Sequence, residues 1–351
     1  MYIVLTANYN AGIFQFAKQI AKTLSSIEET VLFAPNEAVT VDQSDELYKR
    51  VNSIAPICSA YKEIAHRINT LKPTMVFVCE SNLITSRIVL NLDASLKVVM
   101  CVHDVNPHPS YTTRLAAIKG TVKYPYIRRG WKRADSIILL SGHSKKLFQE
   151  SYPQLSAKVE LLRLGAHVPN VEPETPPELR DIKKPYYLFF GRIDKYKGLT
   201  RLLNAYLKIK NLTEWDLVIA GNGTLTEDEQ VIIEANKDRI HQIKRYIKDE
   251  EMCWLFQHTR CTILPYIEAS QSGVLSISYH FGKPVIVSDV EGLTEFVEHH
   301  KTGLIFRTEK DLCVCMTEIE STAGQYEENI HTYYLEHLDW DKNLRRCLKI
   351  S

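Results

Sequence analysis

The chain has 351 residues, of which 45% are hydrophobic and 24% charged. This composition is typical of globular proteins and excludes disordered and fibrous chains, and the length favours two domains of similar size. The longest apolar stretches, such as Val98 to Val102, fall short of the roughly 18 residues that a membrane-spanning helix needs. Met1 to Leu5 has no basic segment before it and no cleavage pattern after it, so we expect a cytoplasmic protein without a secretory leader.

The eight cysteines form no Cys-x-x-Cys motif. Several stand inside apolar runs, as Cys79 does after Val78 and Cys101 between Met100 and Val102. This placement predicts buried, reduced thiols and argues against both a zinc site and a disulfide framework.

The net charge of +1 conceals an asymmetry between the two halves of the chain. Residues 1–170 carry 20 Lys and Arg against 13 Asp and Glu, a net charge of +7, and residues 171–351 carry 23 against 29, a net charge of −6. A near-neutral chain of this kind lacks the overall basic balance of nucleic-acid binders, so we expect no nucleic-acid partner.

The densest basic run lies in the first half, contains no acidic residue and is interleaved with Tyr124, Tyr126 and Trp131. Its cations are Arg114, Lys119, Lys123, Arg128, Arg129, Lys132 and Arg133. Cations mixed with aromatic rings suit an anionic membrane surface or a phosphate-bearing acceptor. The alternative is an ordinary solvated face of a helix and loop.

Short apolar runs alternate with helical patterns along the whole chain. The runs are Tyr2–Thr6, Thr30–Ala34, Thr74–Cys79, Lys97–His103, Ser136–Ser141, Val159–Arg163, Tyr186–Phe190, Leu217–Ala220, Cys261–Pro265 and Pro284–Ser288. Alternating β and α units predict an α/β fold in which helices cover both faces of parallel sheets.

A stretch rich in proline and acidic residues lies near mid-chain, from Pro169 to Glu178. It fits neither the strand pattern nor the helix pattern and indicates a linker. We therefore predict two doubly wound, Rossmann-like domains that face a cleft. Residues 1–168 form the N-terminal acceptor-binding domain, 169–183 the linker and 184–335 the nucleotide-sugar-binding domain. A C-terminal helix follows at 336–351, and the sequence leaves open whether it crosses back to the first domain.

The first segment with chemical potential is Gly191 to Gly198, which follows a predicted strand and precedes a helix. Ligands of doubly wound sheets bind at this edge of the strands. Arg192 and Lys197 are the two cations that a diphosphate at this edge requires. The alternative is a pair of surface cations on a turn.

A second segment, Pro265 to Leu275, also follows a strand and leads into an apolar helix. Ser270 or Ser272 can act as the N-cap of that helix, and Gly273 lets a phosphate approach the N–H groups of its first turn. Such a pattern alone is most often plain helix capping. Together with Arg192 and Lys197, it predicts a cradle for a nucleoside diphosphate.

These segments resemble the retaining glycosyltransferases of the GT-B fold, in particular glycosyltransferase family 4. The ordered motifs that carry the resemblance are Gly191-Arg192-x-x-x-x-Lys197-Gly198, Ala220-Gly221-Asn222-Gly223, Ala269-Ser270-Gln271-Ser272-Gly273, Phe281-Gly282-Lys283-Pro284, Glu291-Gly292-Leu293-Thr294-Glu295, Thr302-Gly303-Leu304 and Leu338-Asp339-Trp340. The resemblance covers nearly the whole chain.

The resemblance implies roles for individual residues. His103, Arg192 and Lys197 would be catalytic, and His103 would contact the donor sugar, although a structural histidine bonded to a backbone carbonyl is the alternative. The implied donor-binding residues are Gly12, Arg192, Lys197, Gly221, Tyr246, Ile247, Glu268, Ser270, Gln271, Ser272, Gly273, Val274 and Glu295. Of these, Tyr246 and Ile247 would meet the nucleobase.

The chain departs from the family at its pair of glutamates separated by seven residues. Counting back from Gly282 places the second glutamate near Ile277 and the first at Ala269, beside Glu268. The second, which grips the nucleotide ribose in relatives, is therefore missing. Glu268 replaces at most the first, and Glu295 is another carboxylate that we expect to face the cleft.

Two other patterns indicate cofactors only weakly. The segment after Ala220 lacks the third glycine of a dinucleotide fingerprint. Asp339 and Asp341 have the spacing of a metal-binding pair but follow no predicted strand, so a helix start with a buried Trp340 is the better interpretation. We expect no cofactor and no metal.

The resemblance implies a retaining, metal-independent hexosyltransferase that uses a nucleoside diphosphate sugar as donor. The acceptor would be a glycan or a lipid-diphosphate-linked glycan of surface polysaccharide biosynthesis, met at the inner face of the plasma membrane by a cytoplasmic, peripheral protein. The alternative, motivated by the missing glutamate, is a non-catalytic binding or partner subunit with the same fold.

Overall fold

The computed structural model describes residues 1–8, 11–34, 49–52, 60–105 and 114–350. It divides into two compact units. Unit 1 comprises Met1–Arg163 and Trp340–Ser351, and unit 2 comprises Leu164–Asp339. The first unit therefore contains the last stretch of the chain.

Unit 1 is built on a seven-stranded sheet whose strands are all parallel to their neighbours, in the order β3-β2-β1-β4-β5-β6-β7. The strands are β1 (Tyr2–Leu5), β2 (Thr30–Ala34), β3 (Lys49–Asn52), β4 (Met75–Val78), β5 (Lys97–Val102), β6 (Ser136–Leu139) and β7 (Val159–Leu161). The described helices are α1 (Ala11–Ser25), α2 (Ala60–Leu71), α3 (Leu83–Val89), α4 (Arg114–Arg133), α5 (Gly142–Ser151) and, at the end of the chain, α13 (Trp340–Leu348).

Unit 2 is built on a six-stranded parallel sheet in the order β10-β9-β8-β11-β12-β13. The strands are β8 (Tyr186–Phe190), β9 (Asp216–Ala220), β10 (Ile240–Ile243), β11 (Cys261–Leu264), β12 (Val285–Ser288) and β13 (Gly303–Phe306). The helices are α6 (Leu199–Ile209), α7 (Glu227–Ala235), α8 (Asp249–His258), α9 (Gly273–His280), α10 (Glu291–Thr294), α11 (Glu309–Thr322) and α12 (Glu327–His337).

The central strands are apolar over most of their length, as expected of parallel strands that helices cover on both faces. In β5 the residues Val98 to Val102 are fully buried, and in β9 Leu217 to Ala220 are fully buried. Strand order reverses between β1 and β4 in unit 1, and between β8 and β11 in unit 2. Ligands of such sheets bind outside the carboxyl ends of the strands at this reversal.

Helix α13 completes the core of unit 1. The ring of Trp340 lies 5.7 Å from the ring of Phe16 on α1. The hydroxyl of Thr23 on α1 donates a hydrogen bond of 2.6 Å to the carboxylate of Asp341. This contact engages Asp341 as a structural partner of α1, in agreement with the helix start predicted around Trp340.

The predicted fold class, two doubly wound α/β domains, is confirmed, and each predicted apolar run contains a strand. The predicted boundaries differ from the observed ones, because unit 1 ends at Arg163 and the predicted linker 169–183 lies within unit 2. Val171 and Ile182 of that segment pack against an apolar cluster of unit 2, so burial joins it to the domain.

Within the described ranges, no helix is both long and apolar enough to span a membrane. Seven of the eight cysteines are described, and each is an unpaired thiol. All of these except the half-buried Cys313 are buried, as predicted, and Cys58 lies outside the described residues.

Candidate functional site

The two segments of the predicted diphosphate cradle lie side by side in unit 2. Gly191 to Gly198 continues from β8, and Pro265 to Ser272 continues from β11. Because β8 and β11 are the neighbours between which the strand order reverses, both segments lie at the ligand-binding edge of the sheet. The structure thus brings together two segments that lie about seventy residues apart in the sequence.

Backbone contacts with the turn after β9 fix the first segment. Ile193 and Gly223 form a parallel bridge, and the Ile193 N–H donates to the Asn222 carbonyl at 2.7 Å. Gly221 has φ +152°, and a Cβ on it would lie 1.9 Å from the Gly191 oxygen. Only glycine allows the two turns to approach this closely, so the predicted Gly221 shapes the cradle through its backbone.

Lys197 is the half-buried cation of the first segment. Its Nζ donates a 2.5 Å hydrogen bond to the hydroxyl of Tyr266 and lies 3.8 Å from the centre of that ring. Burial, aided by the positive charge of Arg192, lowers the pKa of Lys197 from its usual 10.5 to about 8. The lysine remains positively charged at neutral pH, and its ammonium is desolvated enough to interact strongly with an anion.

Arg192 differs from Lys197 in exposure. Its side chain is 58% exposed, and its guanidinium forms an ion pair with Asp194 at 3.2 Å. An exposed cation with a neighbouring acid is screened by water and contributes less to anion binding than a buried one. The structure therefore indicates that Lys197 contributes more to anion binding than Arg192 does.

The second segment ends at the start of α9. Ser272 is the N-cap residue, yet within the described part of the chain its side chain caps no N–H of the first turn. Gly273 is exposed, and no heavy atom of the described residues lies within 4 Å of the position that a Cβ would take there. The amino end of α9 thus carries N–H groups and the positive end of the helix dipole beside open space, the arrangement that binds phosphate.

A short helix supports this loop. Gly292 on α10 lies so close to it that a Cβ would come within 2.2 Å of the Ala269 oxygen. Glu295 is half-buried directly after α10, and Glu268 and Ser270 are half-buried in the loop itself. The predicted donor-binding residues of this region therefore lie on one supported loop and on the helix that abuts it.

Gln271 and Ile277 differ in the surroundings of their side chains. The Oε1 atom of Gln271 is buried, and among the described residues it has no hydrogen-bond partner. Ile277 on α9 packs against an apolar cluster, as does the half-buried Val274. At the position of the missing family glutamate the chain therefore presents an aliphatic residue in an apolar setting.

The predicted nucleobase segment lies after β10. Tyr246 is 62% exposed, whereas Ile247 is 8% exposed and belongs to the core. Arg245 beside them donates to both Glu178 and Glu251, in four hydrogen bonds of 2.6 to 2.9 Å. These bonds hold the turn in place, so Tyr246 presents an exposed ring from a fixed backbone.

In unit 1, His103 follows β5 and is half-buried. Its Nε2 lies 2.8 Å from the carbonyl oxygen of Cys79. Since a carbonyl only accepts, Nε2 carries the proton, and because burial lowers the pKa of His103 the ring is neutral at pH 7 with Nδ1 as an acceptor. The carbonyl-bonded alternative is thus realised at Nε2.

Glu80, at the end of β4, is a residue that the sequence analysis missed. It is 5% exposed and accepts hydrogen bonds from the Thr6 hydroxyl at 3.0 Å and from the Ala7 N–H at 2.7 Å. Burial raises the pKa of Glu80 from 4.5 to about 7. An acidic residue directly after an apolar central strand was the available signal. Gly12 lies near this edge in the first turn of α1, with no described heavy atom within 4 Å of a Cβ placed there.

The basic run forms one helix, α4. Lys123, Arg128, Arg129 and Lys132 are exposed along it. Arg133 instead donates to the carbonyl oxygens of Asp93 and Leu96 and is therefore a structural residue. The side chains of Arg114 and Lys119 lie outside the described residues.

Sequence comparison adds a family match. The model of the family "Glycosyl transferases group 1" matches residues 171–314. An uncharacterized glycosyltransferase of Methanocaldococcus jannaschii is 26% identical over 118 residues, which is 33% of this chain and 30% of that protein. The chain thus matches less than a third of the length of this curated relative.

Structural comparison covers both units. The crystal structure of Anabaena HepE in complex with UDP and glucose aligns with a TM-score of 0.72 and 12% identity, over 99% of this chain and 98% of that one. WaaG, a glycosyltransferase involved in lipopolysaccharide biosynthesis, aligns with a TM-score of 0.71 and 12% identity over 100% of both chains. These similarities establish the GT-B fold.

Proposed function

Because residues 171–314 match the model of the family "Glycosyl transferases group 1", we propose that this chain is a retaining glycosyltransferase. It moves a hexose from a nucleoside diphosphate sugar to a glycan or lipid-linked glycan acceptor. The observation that carries the proposal is the pairing of the desolvated Lys197 with the open amino end of α9 at one edge of the unit 2 sheet.

This pairing suits the electrostatic demand of the reaction. When the bond between the anomeric carbon and the diphosphate oxygen breaks, negative charge grows on the diphosphate. A buried ammonium, an exposed guanidinium and the N–H groups of a helix start stabilise that charge without reorganising. These groups supply the positive charge, so we propose that transfer needs no divalent metal.

Retention follows from attack on the face that the diphosphate leaves. The acceptor oxygen bonds to the anomeric carbon, and the acceptor proton passes to an oxygen of the departing diphosphate. Gln271 Oε1 is the acceptor for a donor hydroxyl in unit 2. In unit 1, His103 Nδ1 takes a hydrogen bond from a sugar hydroxyl, because Nε2 is already committed to the Cys79 carbonyl.

The acceptor side of the proposal rests on unit 1. Four exposed cations of α4 lie among aromatic rings, and Arg128, for example, lies 5.4 Å from the centre of the Tyr152 ring. A surface of this chemistry binds anionic headgroups. We therefore propose a cytoplasmic protein that binds peripherally to the inner membrane face and acts in surface polysaccharide biosynthesis.

The test is a thermal-shift series with UDP, GDP, ADP and dTDP, followed by transfer assays with sugars of the diphosphate that binds. A ligand at 100 times its Kd raises the unfolding free energy by about 2.7 kcal/mol. We expect one diphosphate to bind and its sugar to be transferred in EDTA with the anomeric configuration kept. Binding without transfer to any glycan would favour the non-catalytic subunit, and failure of all four to bind would contradict the proposal.

A further inference from the structure

Tyr266 lies between the two halves of the cradle. Its side chain is 2% exposed, its hydroxyl accepts from Lys197 Nζ at 2.5 Å, and the same hydroxyl lies 3.3 Å from Oγ of Ser272. One phenol therefore touches both the half-buried Lys197 and the N-cap residue of α9.

The chemistry of the three groups fixes the direction of the bond between Lys197 and Tyr266. An ammonium only donates, so the Tyr266 oxygen accepts from Lys197, whereas either hydroxyl can be the donor between Tyr266 and Ser272. When Tyr266 donates, the Ser272 hydroxyl hydrogen is directed away from Tyr266. An ammonium has three N–H donors, so the bond to Tyr266 leaves two of them for phosphate oxygens.

The backbone around Tyr266 is held from several sides. Its carbonyl accepts a 2.5 Å hydrogen bond from the Ser288 hydroxyl, and the next N–H, of Ile267, donates to the Tyr196 carbonyl at 2.8 Å. A Cβ on Gly198 would lie 2.0 Å from the Pro265 oxygen. These contacts fix the phenol in position, which is what a group needs if it is to orient others.

We propose that Tyr266 is the positioning residue of the diphosphate site, which holds the Lys197 ammonium and the Ser272 hydroxyl so that both donate to the same diphosphate. The inference rests on the proposed binding of a nucleoside diphosphate. Tyr266 itself touches no reacting atom, and its effect acts through Lys197 and Ser272.

The variant Tyr266→Phe isolates the hydroxyl, because the ring and its contact with the ammonium remain. We expect the affinity for the diphosphate that binds the wild-type chain to fall about tenfold, the scale of one hydrogen bond to a charged group. The affinity for the corresponding nucleoside should not change. Titration calorimetry measures both values.

The pH profile separates positioning from general damage. Lys197 loses its proton as the pH rises through about 8, so diphosphate affinity should fall there in the wild-type chain. Loss of the Tyr266 acceptor destabilises the ammonium, which moves this fall to lower pH in Tyr266→Phe. Tyr187→Phe is the matched control, because it removes another buried hydroxyl of unit 2, bonded to the Met316 carbonyl. Its affinity and pH profile should equal those of the wild-type chain.

A second variant keeps the test decisive if Tyr266→Phe folds poorly. Ser272→Ala removes the far end of the chain of contacts and should also weaken binding, and the double variant should lose little more than the weaker-binding single variant. Wild-type affinity and pH profile in Tyr266→Phe, or fully additive losses, would overturn the role of Tyr266 while leaving the proposed function intact. Failure of the wild-type chain to bind any diphosphate would instead contradict the proposed function.

Discussion

Lys197 and Arg192 belong to one turn but differ in burial, and their replacement should differ accordingly. Lys197→Ala removes a desolvated charge that stabilises the leaving diphosphate, at about 3 kcal/mol of barrier, so kcat should fall more than a hundredfold. Arg192→Ala removes an exposed cation that Asp194 already pairs, and about tenfold is expected. Steady-state transfer rates check both.

The control for these variants is Lys195→Ala, which removes an exposed cation from the same turn. Its rate should stay near that of the wild-type chain. Near-wild-type turnover in Lys197→Ala would contradict the assignment of the cradle.

Glu80 gives unit 1 a stability that depends on pH. Its pKa is about 7 in the folded chain against 4.5 as the ordinary value, so folding favours the protonated carboxyl. The stabilisation present below pH 4.5 is lost as the pH rises through 7. Because Glu80→Gln stays neutral, its stability relative to the wild-type chain should rise by about 3 kcal/mol between pH 4 and 8.

Denaturant unfolding of both chains across this pH range measures the change. Glu63→Gln, which removes an exposed carboxylate of the same unit, is the control and should track the wild-type chain. A constant difference between Glu80→Gln and wild type from pH 4 to 8 would show that the Glu80 carboxyl is not held in its protonated form.

At the scale of elements, two glycines at the amino end of α9 and beside it should have different effects when replaced: one variant should affect diphosphate binding and the other stability. Gly273→Ala places a methyl group in open space, so the unfolding free energy should stay unchanged. Diphosphate affinity should fall, because the methyl group occupies the space through which a phosphate reaches the N–H groups of α9. Gly292→Ala forces a methyl to within 2.2 Å of the Ala269 oxygen and should destabilise unit 2 by several kcal/mol.

Thermal unfolding with and without the diphosphate distinguishes the two glycine variants. The prediction is contradicted if Gly273→Ala binds as tightly as the wild-type chain, or if Gly292→Ala unfolds at the wild-type temperature.

The elements that the sequence analysis missed are edge strands. Lys49–Asn52, Ile240–Ile243 and Gly303–Phe306 each lie at the end of a sheet, whereas the predicted strands are mostly central. A central parallel strand is covered on both faces and shows a continuous apolar run, but an edge strand has a single neighbour and tolerates polar residues such as His241 and Gln242.

The candidate site also contains residues that the sequence could predict and residues that it could not. Lys197 and Gly273 could be predicted because each follows a strand at a known edge of the sheet. The roles of Tyr266 and Glu80 depend on contacts with residues distant in the chain, and those contacts become visible only once the strands are paired. The greater contribution of Lys197 than of Arg192 likewise depends on burial, which the turn sequence does not encode.

At the scale of the whole molecule, the charge asymmetry should appear as membrane binding by unit 1. Replacing Lys123, Arg128, Arg129 and Lys132 with Gln removes the four exposed, described cations of α4. At about 1 kcal/mol each, partitioning onto anionic vesicles at low salt should fall by up to about a thousandfold, while diphosphate affinity stays unchanged. Vesicle sedimentation at low and high salt measures the effect.

A matched variant replaces Lys237, Lys301, Arg307 and Lys310, four exposed cations of unit 2, with Gln. It should sediment with vesicles as the wild-type chain does. If the wild-type chain ignores anionic vesicles at low salt, or if both variants bind equally, the basic run is an ordinary solvated face and the acceptor is a soluble glycan.

The membership of α13 in unit 1 has a consequence for how the chain is made. Thr23 is translated 318 residues before its partner Asp341, and Phe16 similarly precedes its partner Trp340. At about 5–20 residues per second, the synthesis of the intervening residues separates these events by roughly 15–65 s. During that interval the side of α1 that contacts α13 lacks its partner helix. The unit that begins first is therefore completed only after unit 2 has been synthesised.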